Sequence, residues 1–480
     1  MAEELGYDKL DMLSIFEYSR KLIGHSLLEV VGEEAIQASP LKGQGKGGLE
    51  HMLEALFFKY EINSDTGPDF REAGVELKGT GLKRLKKDGR LQIKERLVCD
   101  MINYEKVVGQ PFEESLFYLK CRVMLLMFYL YEKGVAKWDL KFIYSVLWKL
   151  TEKDLLIIRH DYEVIVDKIR QGKAHELSEG DTEYLGACRK GGKNSPMRRQ
   201  PCSETLAHGR AFSLKPSYMR TVLAYVEERN TDAVSNFEIG HGLCELASQE
   251  ELKVRSFEDI VLARFQPYYG KSYLEICSMM GVSPSSSKCR LALLSHLMAS
   301  QGSAGMKALD VNQSEEFQKS GIRLKTLTSY ASGNVKEDMS FENIDYQEIM
   351  DTDEWVDSRL YELFTSRFLF VHFQQPEGER RAEFSLDRLV LRKAFFWTMP
   401  PDDLATAQEY WEDIRSHVLR NEIEAHFFWS IADHKKFHVR PKAANASDLT
   451  ENPHGGKARK YCYWFNKEYI RRLLVAEENH

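Results

Sequence analysis

The chain has 480 residues, with 66 Lys and Arg against 73 Asp and Glu, a net charge of −7. That balance argues against wrapping of nucleic acid by a uniformly basic surface and leaves only local basic grooves. The composition, 43% hydrophobic and 29% charged, is that of a globular chain of about two to four domains. Acids near the start, in "MAEELGYD", and the lack of an apolar run of about 18 residues speak against a secretory leader and a membrane span, so a cytoplasmic location is expected.

In chain order, residues 8–23 and 26–36 carry helical periodicity. Leu49, Met52, Leu53, Leu56 and Phe57 fall on one face of a further helix. Residues 75–80 read as a strand, "KKDGRL" as an Asp-Gly hairpin, and "LQIKERLVCDMI" as the return strand. The apolar runs 123–131 and 141–148 are strands, and 151–171 is helical. The sum is an α+β fold, a central mixed sheet flanked by helices. "EERNTDAVSN" is polar and aperiodic, which places a domain at 1–228, a linker at 229–255 and a second domain at 256–480. A helix, "HGLCELASQEELK", is expected in that linker.

Eight cysteines are scattered without a C-x-x-C pair, which speaks against a structural zinc site and for reduced thiols. His434 and His438 are spaced i,i+4 but have no supporting ligands nearby in sequence.

The chain repeats itself at a nearly constant spacing. "GHSLLEV" (24–30) returns as "GKSYLEI" (270–276), and "KGGLEHMLEALF" (46–57) keeps its leucines in phase with "KCRLALLSHLMAS" (288–300). "DFREAGVELK" (69–78) returns as "EFQKSGIRLK" (316–325), "KCRVMLLMF" (120–128) as "TSRFLFVHF" (365–373), and "KPSYMRTVL" (215–223) as "NKEYIRRLL" (466–474). Five echoes in one order indicate two copies of one domain.

The third of these carries chemistry. Strand side chains alternate between faces, so Glu76 and Lys78 share one face, about 7 Å apart, while Val75 and Leu77 take the other. Asp69 stands where the chain enters the strand, and Glu54 lies on the preceding helix. A hard cation such as Mg²⁺ takes one or two carboxylates and completes its shell with water and phosphate oxygens. Asp69 and Glu76 can supply those ligands, and the Lys78 ammonium can offset charge on a phosphorane-like transition state. The alternative is an edge strand with alternating salt-bridged residues. The basic hairpin that follows, with Lys83, Arg84, Lys86 and Lys87, would meet a DNA backbone; its bland reading is a solvated loop.

These segments resemble the MutH family, which includes a mismatch-repair nicking endonuclease and restriction endonucleases specific for GATC. The resemblance runs through "PDFREAGVELK", the helix 46–57, "EYLGACRKGGKN" (183–194) and "FSLKPSY" (212–218). In the second copy it runs through "VRPKAANASDLT" (439–450) and "WFNKEYIRRLL" (464–474). Two fused copies look like the type IIE members, which pair a catalytic domain with an effector domain that binds a second DNA site. The resemblance implies a restriction-endonuclease-like PD-(D/E)xK fold in each copy, with Glu54, Asp69, Glu76 and Lys78 as catalytic residues and Mg²⁺ on Asp69 and Glu76. It also implies DNA contacts by Lys46, Lys120, Arg189, Lys190, Lys193, Arg440 and Lys442. In the first copy Cys188 and Arg189 replace the arginine and proline usual in the base-reading loop, whereas the second keeps Arg440, Pro441 and Lys442.

In the second copy Asp69 becomes Glu316, Glu76 becomes Arg323, Glu54 becomes His296, and only the lysine survives, as Lys325. Such a site would not bind Mg²⁺, and Arg323 could hold a phosphate instead. By resemblance, the expected activity is Mg²⁺-dependent double-strand cleavage at GATC, 5′ of the guanine, with the second copy as allosteric effector. The expected partners are two GATC duplexes and a cognate host methyltransferase, the protein itself being a monomer and no membrane being involved. Rival readings are a repair endonuclease that nicks one unmethylated strand and a noncatalytic GATC-binding regulator.

Overall fold

The computed structural model describes residues 5–43, 48–60, 67–85, 88–191, 195–236, 245–280, 314–445 and 447–478. The chain forms two compact units: Met1–Phe257 with Asn312–Gly321, and Glu258–Val311 with Ile322–His480. Among the described residues no helix is long and apolar enough to cross a membrane.

The first unit comprises, in chain order, α1 (Met12–Ser19), α2 (Gly48–Met52), β1 (Glu76–Arg84), β2 (Leu91–Ile93), β3 (Leu97–Met101), α3 (Leu116–Cys121), β4 (Val123–Leu130), β5 (Phe142–Lys149), α4 (Glu152–Arg170), β6 (Leu185–Arg189), β7 (Arg198–Gln200), β8 (Ser203–Ala207), β9 (Arg210–Leu214), α5 (Pro216–Glu228) and β10 (Ala233–Ser235). Its mixed sheet has the order β10-β5-β4-β1-β2. β1 and β4 run parallel, as do β5 and β10, and the other neighbours are antiparallel. Central β4 is buried on both faces over its first six residues, which is why "VMLLMF" is a continuous apolar run rather than an alternating one. An antiparallel sheet β3-β9-β6 and the hairpin β7-β8 complete the unit.

One face of the mixed sheet packs Val75, Leu77, Leu125, Met127 and Leu147 against Ile15, Phe16, Leu49, Leu53, Phe57 and Phe58 from the helical layer. Each such side chain contributes about 1.5–3 kcal/mol on burial. This core clamps β1 so that its other face carries the polar residues.

Three expected elements differ. The helix expected over 26–36 is broken at Gly32, φ +87°, into Leu27–Val31 and Glu33–Ala38. The return strand is split: Leu91–Ile93 pairs with β1, whereas Leu97–Met101 leaves that sheet and pairs with β9. Between them Lys94 donates its backbone N–H to Gly81 and Arg96 ion-pairs with Glu179, which turns the chain toward the second sheet. The polar stretch after α5 also contains strand β10, and the described part of the expected linker helix is only the turn Gln249–Leu252, started by a Ser248–Glu251 capping box.

Later in the chain come α6 (Glu315–Ser320), which belongs to the first unit, and then β11 (Arg323–Ser329), β12 (Met339–Asn343), α7 (Arg359–Phe364), β13 (Phe368–Gln374), β14 (Val390–Trp397), α8 (Pro401–Leu419), β15 (Phe437–Pro441), β16 (Leu449–Glu451), β17 (Lys457–Arg459), β18 (Tyr461–Phe465) and α9 (Lys467–Glu478). β11 and β13 pair in parallel and β13 and β14 antiparallel, the same senses as β1-β4-β5. The antiparallel sheet β12-β18-β15 and the hairpin β16-β17 repeat β3-β9-β6 and β7-β8. Single bonds recur too. Gly24 donates to the Phe142 carbonyl and Phe142 to the His25 carbonyl; Gly270 donates to the Leu391 carbonyl and Leu391 to the Lys271 carbonyl. The second core is more aromatic, built on Phe364, Phe368, Phe370, Phe437, Phe465 and Tyr469.

Candidate active site

The site begins at a turn. Phe70 and Val75 exchange backbone hydrogen bonds at 2.9 and 3.1 Å, closed by Gly74 at φ +68°, a left-handed conformation that favours glycine. The turn folds Asp69 back beside β1. The Leu77 N–H donates to Asp69 Oδ2 at 2.9 Å, and the Asp69 N–H donates to Glu76 Oε2 at 3.3 Å. Phe70, Val75 and Leu77 anchor this geometry in the core.

Glu76 is the centre of the cluster. Its side chain is 1% exposed, and its Oε1 takes the Lys78 ammonium at 2.8 Å and the Lys120 ammonium, from α3, at 3.3 Å. Glu54 sits on a π-helical turn, Leu53–Phe57, that continues α2; such turns recur at functional sites. Burial, then the charges of Asp69, Glu50 and Glu76, push the Glu54 carboxyl up to about 8. Burial and the Glu76 charge push Asp69 up to about 6. Lys78 moves the other way: burial disfavours its charge, but Glu50 and Glu76 outweigh burial and hold it well above the usual lysine range. All four residues read from the sequence as catalytic therefore interact in one cluster, with Lys120 beside them.

Two acids were not read from the sequence. Glu50 accepts the Gly79 N–H at 2.7 Å, between α2 and β1, and its charge joins that of Glu76 in attracting Lys78. Its i,i+4 spacing to Glu54 was the available signal. Asp100, on β3, is raised by burial and opposed by the Lys120 charge. Nothing in its local sequence sets it apart, because β3 reaches the site by joining another sheet.

The residues suit a hard divalent cation. Among the described residues no group of three or more His, Cys, Asp or Glu is arranged to hold a metal, while Asp69 and Glu76 bring two carboxylates together. Two carboxylates completed by water and phosphate oxygens is the usual provision for Mg²⁺. The Glu76 charge raises the cost of ionising Asp69, which a bound cation would relieve.

Several DNA-contact candidates lie at strand ends. Arg189 ends β6, and the Lys190 N–H donates to the Gly209 carbonyl at 2.8 Å. Gly191 follows at φ +85°, where a Cβ would fall 2.0 Å from Ser195 Oγ, so the turn after Lys190 requires glycine. In the second unit the Lys442 N–H donates to the Lys460 carbonyl at 3.1 Å in the same way. Arg440 ion-pairs with Asp338 at 3.0 Å and lies over the Trp464 ring at 4.7 Å. Lys46, Lys86, Lys87, Lys193 and His296 lie outside the described residues.

The altered echo has different chemistry. Glu316, counterpart of Asp69, accepts the N–H groups of Leu246 and Ala247 at 2.9–3.0 Å and pairs with Lys153 at 2.8 Å. Arg323, counterpart of Glu76, is engaged by Glu342 at 2.9 Å and Ser366 at 3.2 Å, so the guanidinium expected to be available for phosphate already has partners.

The sequence profile of the family described as "DNA mismatch repair enzyme MutH" matches residues 58–161, from the end of the π-helical turn to the middle of α4. The type II restriction enzyme Sau3AI of Staphylococcus aureus is 32% identical over 482 residues, covering 95% of this chain and 92% of that protein.

Proposed function

The chain belongs to the MutH-like type II restriction endonucleases, and from that premise we propose that it makes Mg²⁺-dependent double-strand cuts in DNA at GATC, 5′ of the guanine. The first unit cuts, and the second binds another GATC duplex and activates the first. The observation that carries this reading is the convergence of Lys78, Lys120 and Asp69 on the single carboxylate of Glu76.

Asp69 and Glu76 would hold the cation, which when bound polarises a phosphoryl oxygen and lowers the pKa of water. The chain's own residues do the rest. Glu76 fixes both ammoniums, so that Lys78 and Lys120 meet the charge that develops on phosphate oxygens during attack. Glu54, held near 8, can keep or pass a proton at its carboxyl and orient the attacking water.

Duplication is supported by the recurring strand pairings and by the paired bonds at Gly24 and Gly270. Loss of catalysis in the second unit is supported by Arg323 standing in place of the Glu76 acid, and by Glu316, counterpart of Asp69, being paired with Lys153 in the first unit. Mapped plasmid DNA digested with Mg²⁺ or with EDTA, followed by end sequencing, tests the whole. The expected result is ends at GATC with Mg²⁺ alone, and loss of roughly a thousandfold or more in Glu76→Ala with DNA binding kept. Undiminished cleavage by that variant would remove the active-site assignment.

A further inference from the structure

We infer that the second unit holds a backbone phosphate of its DNA duplex between Lys325 and Lys442. This deepens the reading of that unit as DNA-binding and rests on it. Lys325, on β11, donates to the Ser340 carbonyl at 3.0 Å. Lys442, just past β15, donates to Ser340 Oγ at 3.1 Å and to the Phe341 carbonyl at 3.0 Å. Two ammoniums from different elements thus converge on one residue of β12. Among the described residues neither forms an ion pair, since the adjacent acid, Glu342, is taken by Arg323 and Arg359 at 2.9 Å.

The first unit shows what is missing. There the corresponding lysine, Lys78, rests on Glu76. Replacement of that acid by Arg323 removes the anion and adds a cation. Burial, then the charges of Arg323 and Lys442, push Lys325 down to about 8. A phosphodiester supplies the missing negative charge and two acceptor oxygens, and each ammonium has three donors to share. A DNA phosphate is favoured over a free anion because Lys442 lies two residues from half-exposed Arg440, on the same strand end.

The test is titration of the full chain, in EDTA, with a short duplex carrying one GATC, resolving the two binding events. Lys325→Met is expected to weaken one event about tenfold and to lower its log K against log salt slope by about one. Lys325→Arg should restore most of both. For the unaltered protein, a neutral methylphosphonate at one phosphate of the site should reproduce the loss, and that substitution should add nothing in Lys325→Met. This arm holds even where the methionine variant folds poorly. Sodium phosphate should compete no better than sodium chloride of equal ionic strength. Stronger competition by phosphate that disappears in Lys325→Met would assign the site to a free anion and overturn the DNA assignment. If the unaltered protein takes up a single duplex, the DNA-binding reading of the second unit fails and this inference with it. If it takes up two, and Lys325→Met does so with the same affinities and slopes, this inference alone fails.

Discussion

Glu50 shows how one residue can govern a site without belonging to its motif. Its carboxylate joins α2 to β1 through the Gly79 N–H and, with Glu76, attracts the Lys78 ammonium. A charge-assisted hydrogen bond of this kind is worth about 1.5–3 kcal/mol. Glu50→Ala is therefore expected to slow single-turnover cleavage by roughly tenfold to a hundredfold. Glu50→Gln, which keeps an acceptor for Gly79 and loses the charge, should fall between that variant and the unaltered protein. Equal rates for all three proteins would show that neither the bond nor the charge matters. The residues on β1 were legible because a strand's alternation fixes which side chains share a face. Glu50 and Asp100 were not, because their relation to β1 depends on how α2 and β3 pack, which has no local sequence period.

At the scale of elements, the echo "EFQKSGIRLK" diverges most. Its first copy forms a turn after Pro68; its second forms α6, with Ser314 at the N-cap, Glu315 and Glu316 in the first turn, and Gly321 at φ +68° as the stop. The glycine conformation is shared with Gly74, but the residues before it have changed from entering a site to plugging a core. Lys319, 0% exposed, pairs with Asp154 at 2.6 Å and Glu315 at 2.5 Å, and Asp154 also accepts from the Tyr218 hydroxyl at 2.8 Å. Removing the ammonium would strip two buried carboxylates of the cation closest to them, a loss of about 3–5 kcal/mol. Lys319→Met is expected to lower the melting temperature of the first unit by on the order of 10 °C. An unshifted melt would mean that the ion cluster is not needed to dock α6. The sequence showed this segment as an echo with altered acids, but not that it forms a helix of the first unit.

At the scale of the whole molecule, the proposed pairing of a cutting unit with a DNA-binding unit predicts that cleavage depends on two DNA sites. Coupling of that kind is reciprocal in binding free energy. A plasmid with several GATC sites should be cut faster in single turnover than one with a single site, and an added GATC duplex should rescue the single-site plasmid. Lys442→Ala should weaken that rescue by a loss of about 1–3 kcal/mol in the second binding event. Site-independent rates, indifferent to added duplex, would sink the effector role. The α+β class and mixed sheet were legible from short apolar runs separated by turn signals. The crossing of chain between units was not, since a break in polarity marks where packing is thin and says nothing of which core a later segment will join.

That crossing constrains how such a protein can be taken apart. The first unit is written in two pieces of chain, the second lying more than fifty residues beyond its main boundary. A fragment stopped at Phe257 would keep Lys153 and Asp154 but forfeit Glu316 and Lys319, their partners. The first unit therefore cannot be excised as a simple prefix. A gene that lost its second half would lose part of the first unit's interior with it.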